Sequence, residues 1–245
     1  MKIFLVRYKP IIVYYFLACL FSWPFFLWRD VYSDHWEGLD LDIVIKTSLI
    51  MWGPGLSAII CSLIFKEKVI KTITLFGTSI LRSLLFWGVP MIAFIFWGEY
   101  NVSFTKIIIY LGGVFLFTLG EELGWRGFMQ DQLNHLPKWK RYLIIGAMWE
   151  FWHFTTRTLS GGIFARILRP LIFILPNSIL SYIFGESVNK SKSIIVAVTL
   201  HAWFNLLIEF ANTQTFIIFS FSIIFWIIML SSWNKPFKLK NIFFK

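Results

Sequence analysis

Eight runs of mostly apolar residues follow one another along this chain, and they leave little room for any other kind of fold. They fall roughly at 11–28, 44–65, 83–98, 107–126, 143–157, 171–186, 194–210 and 215–233, where about 20 such residues make one transmembrane helix. Pro170 and Pro176 interrupt the sixth run, and polar residues thin the fifth. Composition agrees, since 58% of the 245 residues are hydrophobic, 15% are charged and the mean hydropathy is +0.70. A soluble domain carries ~25% charged residues. The expected fold is all-α, a polytopic transmembrane bundle of about eight helices in a single integral membrane domain over 1–245. A soluble enzyme, a disordered chain and a disulfide scaffold are excluded. Cys19 and Cys61 lie inside apolar runs and read as packing residues.

The net charge of +10 would suggest nucleic acid in a soluble protein. Here no basic stripe with interleaved aromatics lies outside the apolar runs, so no nucleic-acid partner is expected. The charges set orientation instead. Lys2, Arg7 and Lys9 precede the first span, which has no cleavage site and reads as an uncleaved helix. Lys66, Lys68, Lys71, Arg82, Lys138, Lys140, Arg141, Lys190, Lys192, Lys235, Lys238, Lys240 and Lys245 fall on the same side. The first loop is acidic, with Asp30, Asp34, Glu37, Asp40 and Asp42. Both termini are therefore expected in the cytoplasm, with the chain as a multi-pass protein of a bacterial plasma membrane and the bilayer as its first partner. Arg157, Arg166 and Arg169 dissent.

Ionisable groups inside spans are costly and mark function by default. Here they cluster in three spans. The fourth ends Gly120-Glu121-Glu122-Leu123-Gly124-Trp125-Arg126, the fifth holds Trp149-Glu150-Phe151-Trp152-His153, and the seventh holds His201-Ala202-Trp203-Phe204-Asn205 and then Glu209. Glu122 and Arg126 are spaced i,i+4 and can pair on one face, which turns Glu121, about 100° round the helix, towards something else. His201 and Asn205 share a face in the same way. Trp149 lies one turn from His153 and can wall its site. At ~1.5 Å per residue, Glu121, His153 and His201 come to one level in the cytoplasmic half, which suggests one polar pocket. His35 and His135 lie in loops and read as solvated.

A carboxylate and two imidazoles in an apolar pocket can activate water, with the carboxylate taking the proton and a histidine or amide donating to the oxyanion. Alternatively, Glu121, His153 and His201 could hold a zinc ion that does so. No His-Glu-x-x-His pattern demands a metal. The plainer readings are a structural Glu122–Arg126 pair, histidines bonded to neighbouring helices, Glu150 and Glu209 in supporting places, or a proton relay in a transporter, for which matched broken helices are lacking.

The sequence resembles the CPBP family of intramembrane proteases, also called the Abi or CAAX-protease family, which includes type II CAAX prenyl endopeptidases. The Glu-Glu-x-x-x-Arg motif is present as Glu121, Glu122 and Arg126, followed by Gly127-Phe128. The Phe-x-x-x-His motif keeps His153 but has Trp149 for the Phe, and His-x-x-x-Asn is present as His201 and Asn205. Gly53-Pro54-Gly55-Leu56-Ser57-Ala58 is similar to a common family helix start. The motif-bearing core runs from about 44 to 210. The resemblance implies that Glu121 is the catalytic base, that His153 is its partner on the attacking water, that His201 and Asn205 form the oxyanion site, and that Glu122 and Arg126 are a supporting pair. It implies an endopeptidase that cuts a peptide or membrane-protein substrate at the cytoplasmic side, of metallo- or glutamate type. Trp149 is expected to alter pocket shape and leave the chemistry alone. The same family includes bacteriocin self-immunity proteins and envelope-regulating scaffolds, so a non-catalytic protein that keeps the motifs is the alternative.

Overall fold

The computed structural model describes residues 2–26, 41–66, 69–153 and 163–235. Residues 27–40, with His35 and most of the acidic loop, and Arg157, Lys68 and residues 236–245 lie outside the described residues. The described residues form helices α1 (Lys2–Phe26), α2 (Leu41–Met51), α3 (Gly53–Ile64), α4 (Ile80–Trp97), α5 (Phe104–Gly124), α6 (Lys138–Trp152), α7 (Ile163–Ser191), α8 (Ile194–Glu209) and α9 (Thr213–Ser231), with no strand among them. Each apolar run carries a helix. The second carries two, because Gly53 and Pro54 start a new helix and α3 leaves α2 at 45° beside Trp52. The glycine-proline start read from residues 53–58 is therefore a real helix start.

Lengths depart from the eight full spans expected. Ile80–Trp97, Phe104–Gln132, Leu168–Ser191 and Thr213–Ser231 are long and apolar enough to cross a membrane, and the bent α2–α3 pair makes a fifth. α6 has 15 residues and opens on Lys138, Lys140 and Arg141, while α8 has 16. The reason is position in the bundle. A helix apolar on every side is a buried helix, and α8 buries Ile194 to Thr199, His201 to Trp203 and Leu206. It is walled by other helices and faces lipid over little of its length. The outer helices show the reverse. Leu63, Phe96 and Phe221 are about 70% exposed, a surface that water does not tolerate and a bilayer does.

Two apolar cores flank α8. One gathers Tyr14, Trp125, Phe128, Trp149 and Trp152 around Ala197 and Val198. The other gathers Phe86, Phe94, Tyr110 and Trp226 around Trp203 and Leu206. Caps set the outer helix starts: Ser79 accepts from the Arg82 N–H, Ser103 from Lys106 and Asn212 from Thr215. The Arg82 guanidinium caps the end of α9 through the Ser232 carbonyl (2.6 Å) and the Lys235 carbonyl.

The segment between α3 and α4 fixes the start of α8. Thr74 bridges Ser193, with its N–H donating to the Lys192 carbonyl (2.9 Å) and its carbonyl accepting from the Ile194 N–H (3.0 Å). Asp131 accepts from the Thr72 N–H and hydroxyl, both at 2.6 Å, and from the Ile73 N–H at 3.3 Å. Gly77 turns the segment at φ +60°, a conformation that glycine adopts without strain.

α5 continues through a π-helical turn, Trp125–Met129, into a last turn, Gln130–Gln132. Its rotation is set by glycines four apart. A Cβ at Gly120 would lie 2.8 Å from the Trp52 ring, and one at Gly124 would lie 2.5 Å from both Pro54 and the Tyr14 hydroxyl. A Cβ at Gly55 would lie 2.8 Å from the Gly120 carbonyl oxygen. This small-residue seam lets backbones approach as helices in membranes do, and it turns the glycine face of α5 to α3 and α1. Gly124→Leu is expected to cost about 1–3 kcal/mol by overpacking, read as a lower melting temperature of the purified protein in detergent. A wild-type melting temperature would contradict the seam.

Candidate active site

With its glycines committed to α3 and α1, α5 turns Glu121 and Glu122 towards α6 and α8. Glu122 is fully buried. Its Oε1 accepts from His201 Nδ1 at 2.8 Å and from Arg126 Nη1 at 3.3 Å, and Arg126 Nε lies 3.2 Å from its Oε2. The i,i+4 pair read from the sequence is formed. His201, expected to pair in role with Asn205 alone, is also bound to this carboxylate. Because a carboxylate accepts, Nδ1 of His201 carries the proton.

Arg126 sits in the π-turn, a feature common at functional positions. Its guanidinium lies over the rings of Trp149 (5.0 Å) and Phe184 (5.2 Å), and its Nη2 reaches the Ser181 hydroxyl at 3.4 Å. A charged group removed from water needs partners of this kind. Ser181 and Phe184, three apart on α7, share one face. Sequence reasoning passed over both, and a serine within an apolar run was the available signal.

Glu121 is 2% exposed. Its Oε2 accepts from the Trp149 indole N–H at 2.7 Å, and no described residue hydrogen-bonds its Oε1. His201, Glu122 and Arg126 all lie within electrostatic reach of it. The expectation that Trp149 changes only shape is corrected here. An indole brings a donor that a phenyl ring lacks, and that donor is on Glu121.

His153 caps the end of α6, and its Nδ1 is 3.0 Å from the Trp149 carbonyl. A carbonyl only accepts, so Nδ1–H donates. Its ring stands edge-on to Trp152 at 4.6 Å and lies 6.0 Å from Trp149. His201 stacks on Phe184 (5.8 Å) and meets Trp149 edge-on (5.2 Å). Asn205, one turn on, is half-buried, and its Nδ2 has no hydrogen-bond partner among the described residues. Glu150 is tied away to α7, where Asn177 donates to its Oε2 at 2.6 Å.

The proposed metal set does not come together. Among the described residues, no three of His, Cys, Asp and Glu are grouped as a metal ion requires, and His201 gives Nδ1 to Glu122. The donor set fits a network of charge-assisted hydrogen bonds.

The family model for type II CAAX prenyl endopeptidases, Rce1-like, matches residues 103–207, which hold all three motifs. A curated relative, CAAX prenyl protease 2 of Methanococcus maripaludis, is 31% identical over 52% of this chain and 49% of its own length. The chain thus spans about half the length of the curated relative it matches. No solved structure matches it. Residues 103–207, with Glu121, Glu122, Arg126, His153, His201 and Asn205 among them, are thus similar to the Rce1-like, type II CAAX prenyl endopeptidase family.

Proposed function

We propose that this chain is an intramembrane endopeptidase in which Glu121 activates the water that cuts the peptide bond. The observation that carries this reading is the unequal use of two adjacent buried carboxylates. Glu122 is bound by Arg126 and His201, whereas Glu121 holds one donor and keeps Oε1 for a proton. Two carboxylates in different surroundings take different roles. Glu122 is the structural anion and Glu121 the base.

Water placed between Glu121 Oε1 and His153 Nε2 loses a proton to Glu121 as its oxygen attacks the carbonyl carbon. The developing oxyanion takes hydrogen bonds from Asn205 Nδ2 and from His201 Nε2. Donation from Nε2 requires both ring nitrogens of His201 to carry protons, with Nδ1 on Glu122. The C–N bond then breaks, and Glu121 returns its proton to the leaving amine. Each carboxylate thus ends the cycle as it began.

The family and the relative are named for CAAX prenyl substrates, so a prenylated peptide ending in Cys, two aliphatic residues and a final residue is the substrate to try first. The basic loops favour a cut near the cytoplasmic face. Purified protein in lipid nanodiscs is expected to cut that peptide once, as read by mass spectrometry. His201→Ala is expected to slow it about 10²–10³-fold. A His201→Ala protein that cuts at the wild-type rate would sink the reading. Inhibition by a chelator, with rescue by one metal, would replace it with the zinc alternative. Cutting by neither protein would leave the self-immunity scaffold.

A further inference from the structure

We infer that Trp149 is a positioning residue that joins the catalytic base to the other motif groups, and that its indole N–H is the atom that aims Glu121. This role deepens the protease reading and rests on it. Among the described residues, Trp149 meets Glu121, Arg126, His153 and His201. Its indole N–H donates to Glu121 Oε2 at 2.7 Å. Its ring carries the Arg126 guanidinium at 5.0 Å and meets the His201 ring at 5.2 Å. Its backbone carbonyl takes the His153 Nδ1 at 3.0 Å.

The side chain is 4% exposed and wedged against Phe184 at 6.4 Å, so it has no room to swing. A carboxylate on a flexible glutamate side chain has rotamers to choose from. Burial removes water as a partner, and a buried charge must then take its hydrogen bonds where the protein offers them. The indole offers one donor in a fixed place, which holds Oε2 and leaves Oε1 facing the water position. The same residue's carbonyl holds His153 Nδ1. One residue on α6 therefore holds both the Glu121 carboxylate and the His153 ring. The ionisable neighbours around it are Glu122 on α5, Arg126 in the π-turn and His201 on α8.

The test uses full-length protein in nanodiscs with the prenylated peptide. Trp149→Phe removes the N–H with some loss of volume. Benzothienylalanine placed at 149 keeps the bicyclic shape and puts sulfur where the N–H was. Both are expected to lower kcat roughly tenfold to a hundredfold with KM within about twofold, because the N–H meets the base and not the substrate. Melting temperatures should show coupling, with the isostere costing less in a Glu121→Ala background than in wild type. A benzothienylalanine protein with wild-type kcat overturns the role. So does an effect on KM alone, which belongs to pocket shape, and so do additive melting shifts. If wild type and Glu121→Ala cut the peptide equally, the protease reading itself fails, and the positioning role falls with it.

Discussion

Glu121→Gln is expected to slow peptide cleavage by about 10³-fold while leaving the fold intact. The substitution keeps size and shape, and the amide oxygen can still accept the Trp149 N–H that now sits 2.7 Å from Oε2. What is lost is basicity at the other position, where no described residue competes for Oε1. The expected signature is an unchanged melting temperature with single-turnover cleavage close to background. Glu122→Gln should separate from it, because that side chain meets both Arg126 and His201 and its loss is felt in stability as well. A Glu121→Gln protein within about tenfold of wild type would remove the residue as general base.

The second large effect is expected from Arg126→Met, on stability. Removing one partner of a buried ion pair costs about 3–5 kcal/mol, since the remaining charge is stranded in an apolar place. Here the stranded group is Glu122, which is fully buried and left with His201 alone. The guanidinium also fills the space between Trp149 and Phe184. Arg126→Lys should rescue little, because an ammonium lacks the planar fork that meets both Glu122 oxygens and stacks on rings. Unfolding in mixed detergent micelles measures the loss. The double variant Arg126→Met with Glu122→Gln should recover part of it, because neither charge is then left alone. Equal losses in the single and double variants would show that packing, not charge, sets the cost.

Much of this was legible in the sequence where the signal is local. Glu122 and Arg126 are four apart, and helical geometry alone puts them together. Each apolar run found its helix, and Gly53-Pro54 marked a start. What escaped were the facts that depend on how helices are rotated against one another. Nothing in spacing says that His201 meets Glu122, 79 residues away. Nothing says which edge of Trp149 faces α5, so its donor passed for bulk. Run length misled in one place, because α8 is short for a crossing and a membrane prediction weighs hydropathy without knowing that neighbours wall the helix. The π-turn at Trp125–Met129 has no pattern to betray it. It needs only one extra residue in a turn, and i,i+4 arithmetic is blind to that.

The place of α8 has a thermodynamic consequence. Its Ala197 and Val198 belong to one apolar core and its Trp203 and Leu206 to the other, with His201 between them. Neither half of the bundle can loosen without exposing a side of the helix that the other half needs. The described helices should melt in one cooperative step, with no half-folded species that keeps His201 against Glu122. Weakness anywhere along α8, even a full two turns from His201, is then shared by all the described helices.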